Sequence, residues 1–100
     1  MPDHAIELDQ LVLMALDPFK IEKREAIMAD VYKLVADPAN WFLVAKEPRR
    51  GTIYGADTAD DLRVFFLTDG AGRVTELIDL FRPSVFGLPP RRPEGSTVPR

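Results

Sequence analysis

One hundred residues are enough for one domain and too few for two. Hydrophobic residues at 46% support a core, and 29% charged residues are ordinary for a soluble protein. No apolar run approaches the roughly eighteen residues of a membrane span, Met1-Pro2-Asp3-His4 is not a basic leader to an apolar stretch, and the lack of cysteine excludes disulfides and thiolate metal sites.

The elements follow in chain order. Asp3 is placed to cap a first helix over residues 4–16, with Ile6, Leu8, Leu11, Val12 and Leu16 on its apolar side. Leu11-Val12-Leu13-Met14-Ala15-Leu16 is apolar all round, which predicts a well-buried piece or a strand. Asp17-Pro18 reads as a cap followed by a proline at the first helical position. Ile21, Met28, Val31, Leu34 and Val35 then recur at helical spacing, with Ile27 and Tyr32 beside them, predicting a helix over 18–36. Asp37-Pro38 ends it, because a residue before proline is pushed out of the α region.

Strand signals begin at residue 41. Trp41–Ala45 is short and β-prone, Pro48–Gly51 is a turn, and Thr52–Tyr54 is a second strand closed by Gly55-Ala56-Asp57. Leu62–Leu67 is the strongest strand signal. Asp69-Gly70-Ala71-Gly72 is a hairpin loop, and Val74–Leu80 follows it as a fourth strand. Short connections make neighbours antiparallel. The predicted fold is α+β: two N-terminal helices on a three- to four-stranded antiparallel sheet, one domain over 1–82. Residues 83–100, with prolines at 83, 89, 90, 93 and 99, form a basic tail that no helix or sheet interior tolerates.

The third strand is apolar on both faces, with Leu62, Val64 and Phe66 on one and Phe65 and Leu67 on the other. The fourth offers Val74, Ile78 and Leu80 on one face and Leu77 and Phe81 on the other. Two helices cover only one face of such a sheet. The second face calls for the tail, a homodimer mate or another protein.

Little in the chain points to familiar catalytic sites. Gly70-Ala71-Gly72 between strands is turn chemistry, not a phosphate loop. The serines are Ser84 and Ser96 and the one histidine is His4, far from both, so a Ser-His-acid triad is not expected. One histidine and no cysteine make a zinc site unexpected as well. Asp57, Asp60 and Asp61 cluster around a loop; such acids either hold a hard cation or simply face water. No cofactor or metal is expected, and the expected location is cytoplasmic.

Charge is uneven within the formal net of -3. Residues 1–40 carry four basic and eight acidic side chains, whereas 82–100 carry four arginines and one glutamate. Lys46, Arg49 and Arg50 gather at the first strand turn; a basic turn of this kind is a candidate nucleic-acid contact. Arg63 lies inside an apolar strand and is costly there unless paired or wetted. It pairs with Asp79 or Glu76 on the next strand, or grips a phosphate with its planar fork. Trp41, Phe42 and Tyr54 are core residues or base-stacking surfaces.

The order of elements resembles the RelE/ParE toxin superfamily of bacterial toxin–antitoxin systems. The resemblance runs through Val-Ala-Asp-Pro-Ala-Asn-Trp at 35–41, Asp61–Phe66, the hairpin Asp69–Val74 and Phe81-Arg82-Pro83-Ser84-Val85-Phe86, covering about 18–86. It implies a toxin neutralised by an antitoxin-like protein, acting on ribosome-bound mRNA without a metal or on DNA gyrase. For a ribonuclease, it implies that Arg63 holds the scissile phosphate and Arg82 stabilises its developing charge. Tyr54 or Lys46 is then the proton carrier, because Phe81 and Phe86 stand where the family carries His and Tyr, and neither ring moves a proton. The short strand that commonly precedes the family's first helix is not evident. The alternative is a non-catalytic interaction domain that uses the uncovered sheet face for a homodimer or another protein.

Overall fold

The computed structural model describes residues 6–59 and 61–88. The chain is α+β, with a five-stranded mixed sheet and two helices. A short strand β1 (Glu7–Leu8) leads into α1 (Gln10–Leu16) and α2 (Ile21–Val35). Four strands follow: β2 (Phe42–Glu47), β3 (Gly51–Asp57), β4 (Arg63–Thr68) and β5 (Val74–Phe81). The sheet order is β1-β5-β4-β3-β2, with β2 to β5 an antiparallel meander and β1 parallel to β5. No helix among the described residues is long and apolar enough to cross a membrane.

Several boundaries differ from the sequence expectation, among them the second strand, which runs through Asp57 rather than closing after Tyr54. The helix predicted over 4–16 begins at Gln10, because residues 7–8 pair with Glu76 and Leu77 instead and Asp9, not Asp3, supplies the cap. The sheet is therefore mixed and larger than the antiparallel meander expected. The helix predicted from 18 begins at Ile21. Asp17 closes α1 rather than opening α2, and Arg24 ties the turn by donating to the carbonyls of Phe19 at 2.7 Å and Asp17 at 2.9 Å. The stop at Asp37-Pro38 stands: α2 ends at Val35, and Asp37 caps a 3-10 turn over Pro38–Asn40. Of the predicted tail, Pro83–Phe86 forms another 3-10 turn and Pro83 is buried. The tail from Pro89 onward lies outside the described residues.

The core lies between the helices and one face of the sheet. Val12 and Leu16 from α1 and Ile27, Val31 and Val35 from α2 pack on Ala56, Val64, Phe66, Val74, Leu77 and Leu80. Both helices use an i, i+4 stripe, the spacing that keeps side chains on one face. Full burial of each such residue is worth about 1.5–3 kcal/mol. The all-apolar stretch 11–16 is not buried all round. Val12 and Leu16 face in, while Leu11, Leu13 and Met14 are exposed.

Two bulges explain the pattern of β5. Phe65 pairs with Asp79 and Phe66 with Leu77, leaving Ile78 as an extra residue; Leu67 pairs with Glu76 and Thr68 with Val74, leaving Thr75 extra. Each insertion resets the alternation. Val74, Leu77 and Leu80 therefore all face the helices at a spacing of three, whereas strict alternation set Leu77 against Val74. The hairpin before β5 is pinned by Asp69, whose carboxylate accepts from the N–H groups of Ala71 and Arg73 at 2.9 and 3.0 Å. Gly72 takes φ 81° there, which glycine adopts at no steric cost.

Candidate functional site

The face of the sheet away from the helices carries the predicted arginine. Cross-strand partners share a face, so Asp57, Arg63 and Phe81 form one row, and Phe42, Gly55, Phe65 and Asp79 the next. Arg63 is only 4% exposed. Its Nε donates to Asp57 Oδ1 at 2.6 Å and its Nη2 to Asp57 Oδ2 at 3.0 Å. The two parallel bonds match the guanidinium fork to the carboxylate. The Phe42 ring lies over the guanidinium at 5.2 Å. Arg63 thus pairs with Asp57 on β3, not with the expected Asp79 or Glu76 on β5.

Part of this face is filled from within. Gly55 lets the Phe42 ring settle onto the sheet: a Cβ at that position would stand 2.6 Å from the ring. Phe65 meets Phe81 edge to face at 5.1 Å, and Phe81 meets Phe86 at 5.8 Å. Leu67 is buried, and Arg50 reaches across the sheet to donate to Glu76 at 2.9 Å. Part of the cover expected over this face comes from Phe42 and from the first residues of the predicted tail, the 3-10 turn whose Phe86 meets Phe81 but is itself 67% exposed.

The other predicted site residues are spread around the molecule. Arg82 follows Phe81 but turns to the helix side, where its guanidinium sits 5.9 Å from the Phe19 ring in the α1–α2 turn. Tyr54 is on the helix side, packed with Trp41 at 5.0 Å and Phe66 at 6.3 Å. Lys46 is exposed opposite Thr52, at the far end of the sheet from Arg63. Arg49 is exposed in the 48–50 turn, next to Arg50 with its bond to Glu76. The fold does not bring Arg63, Arg82, Tyr54 and Lys46 to one point. Phe42 is buried and Trp41 and Tyr54 are half-buried, so all three serve packing.

The acidic loop is also committed to internal bonds. Asp57 holds Arg63, and Asp61, with φ at 58°, accepts a hydrogen bond from the Ser84 hydroxyl. Asp60 lies outside the described residues. Among the described residues, no group of three or more His, Asp or Glu is placed to hold a metal ion.

Sequence reasoning missed two features. Asp57 was read as the close of a strand and as one of three clustered loop acids; its place opposite Arg63 follows from the β3–β4 register, which leaves no local signal. An apolar groove of about 270 Å³, with Tyr32 and Trp41 in its wall, lies between the end of α2 and the β4–β5 hairpin. It joins residues from three separate segments and has no local signature.

Comparison with protein-family models, with curated proteins and with solved structures finds no match to this chain.

Proposed function

We propose that the chain is a RelE/ParE-like domain of the toxin–antitoxin type that works by holding a protein partner, not by cutting RNA. The observation that carries this reading is the Asp57–Arg63 pair beneath Phe42. An arginine bound by both nitrogens to a carboxylate, and covered by a ring, has its donor fork spent on the fold. It would have to give up that carboxylate before it could grip a phosphate. Phe81 and Phe86, where the resemblance expects proton carriers, meet edge to face, and Phe81 also meets Phe65 edge to face. The short strand Glu7–Leu8 ahead of the first helix supports the family side of the reading, since the resemblance expects one there.

The test uses the intact chain. Ribosomes programmed with mRNA are incubated with the purified protein, and cleavage is mapped by primer extension. No cleavage above background is expected. Cleavage that disappears in Arg82→Ala would overturn the binding reading in favour of the nuclease. Induction of the chain alone in bacteria is expected to slow growth equally for wild type and Arg82→Ala; unimpaired growth would sink the toxin–antitoxin assignment.

A further inference from the structure

The groove between α2 and the β4–β5 hairpin has a composition that selects its occupant. Its wall is made by Tyr32, Val35, Pro38, Trp41 and Val74, with Arg73 at the rim. Tyr32 is 40% exposed, whereas the inner side of Trp41 packs on Tyr54 and Phe66. Aromatic-lined grooves of this kind suit polyproline II segments, which are already extended and lose little entropy on docking. The chain contains one such segment, Leu88-Pro89-Pro90-Arg91-Arg92-Pro93. With three residues per turn, Pro90 and Pro93 fall on one edge of that helix.

Reach decides whose segment it is. Leu88 is held near Pro83, since its N–H donates to the Pro83 carbonyl at 3.0 Å, beyond the Phe81 end of β5. The groove lies at the Val74 end. The seven steps between those ends span at most about 23 Å at about 3.3 Å per residue, somewhat less because of the two bulges. From Leu88 to Pro93 a polyproline II chain covers about 16 Å. Along such a path the segment would end short of the groove on its own copy. A second copy has no such limit.

Charge favours the same occupant. Residues 1–87 hold ten basic and fifteen acidic side chains, a net of -5, whereas 88–100 hold Arg91, Arg92 and Arg100 against Glu94, a net of +2. Asp37, exposed between Ala36 and Pro38 of the groove wall, offers a carboxylate to the two adjacent arginines, whereas Asp69 across the groove is already paired with Arg73 at 3.4 Å.

We propose that this groove binds the Pro89–Pro93 segment of a second copy of the chain, with Pro90 and Pro93 against Tyr32 and Trp41. Each copy offers one segment and one groove, so the exchange is reciprocal and closes as a two-fold dimer. This surface is separate from the Arg63 face, and the proposal holds or fails independently of the toxin–antitoxin reading.

Trp41 is the only tryptophan, so its fluorescence reports directly on the groove. The full chain is diluted from about 1 mM to about 1 µM, a range that brackets weak to moderate association. Mass is followed by sedimentation, and emission is recorded in parallel. Wild type is expected to pass from dimer to monomer with a red shift in the same concentration range. The Pro90→Ser, Pro93→Ser double variant is expected to be monomeric throughout, with the dilute wild-type emission. A synthetic peptide of residues 88–94 then restores the blue-shifted emission of that variant, and Tyr32→Ser weakens the peptide at least tenfold with its circular dichroism unchanged. A dimer that survives in the proline variant overturns the proposal. So does emission independent of concentration, the result expected if the chain fills its own groove. A peptide without effect on Trp41 overturns it as well.

Discussion

Asp57 and Arg63 make one linked prediction at the scale of single residues. Replacing Asp57 with Ala withdraws both oxygens from a buried guanidinium, and breaking a buried pair from one side costs about 3 kcal/mol. Replacing the pair together, Asp57→Leu with Arg63→Met, keeps the volume apolar and is expected to recover most of that loss. Urea unfolding of the three proteins checks the order; a double variant no better than Asp57→Ala would refute it. Asp69 predicts a pH effect. The Arg73 backbone N–H first, then the Ala71 N–H and the Arg73 charge, hold its carboxyl below the ordinary 3.8. A depressed folded value means that the hairpin's contribution is complete above about pH 4 and fades as pH falls through the folded value. Carboxyl NMR titration should place Asp69 below 3.8, and Asp69→Asn should remove the associated acid sensitivity.

Among the elements, Gly55 and the β2–β3 pairing are a sharper test than any helix. Gly55→Ala would put a methyl carbon 2.6 Å from the Phe42 ring. The ring must shift, and with it the cover over Arg63, so overpacking of about 1–3 kcal/mol is expected. Calorimetry measures the loss, and adding Phe42→Leu should relieve part of it. The same elements mark what the sequence could tell. The stop at Asp37-Pro38 and the Asp69–Gly72 hairpin were legible because each acts through two or three adjacent residues. β1 was not legible: two residues that pair with Glu76 and Leu77, far along the chain, leave no period to read. Asp17 was misread because an aspartate before proline suits a helix start, and tertiary ties from Arg24 decided otherwise. The bulges at Thr75 and Ile78 lay beyond a rule of strict alternation. Arg63 was rightly singled out as needing a partner, but whether that partner stood on β3 or β5 depended on register, which only the folded sheet fixes.

For the whole molecule, apolar side chains are exposed on the helices as well as on the partly covered sheet face. Leu13 and Met14 on α1 are 51% and 60% exposed, next to Val12 at 1%. Under the partner-binding reading, this side of α1 is a candidate contact surface. Leu13→Lys with Met14→Lys is therefore expected to leave stability within about 0.5 kcal/mol, because neither side chain is in the core. Val12→Ala, on the same turn, is expected to lose about 2 kcal/mol. Under the partner-binding reading, the lysine pair also abolishes the growth effect of the induced chain, since two ammonium groups cannot be buried against an apolar surface without pairing. The stability measurement separates the causes. A lysine variant that is folded and inactive assigns α1 to the partner, a folded and fully active one removes α1 from the interface, and a Val12→Ala protein that is destabilised yet still active at permissive temperature shows that the loss of function does not come from weakened packing of α1.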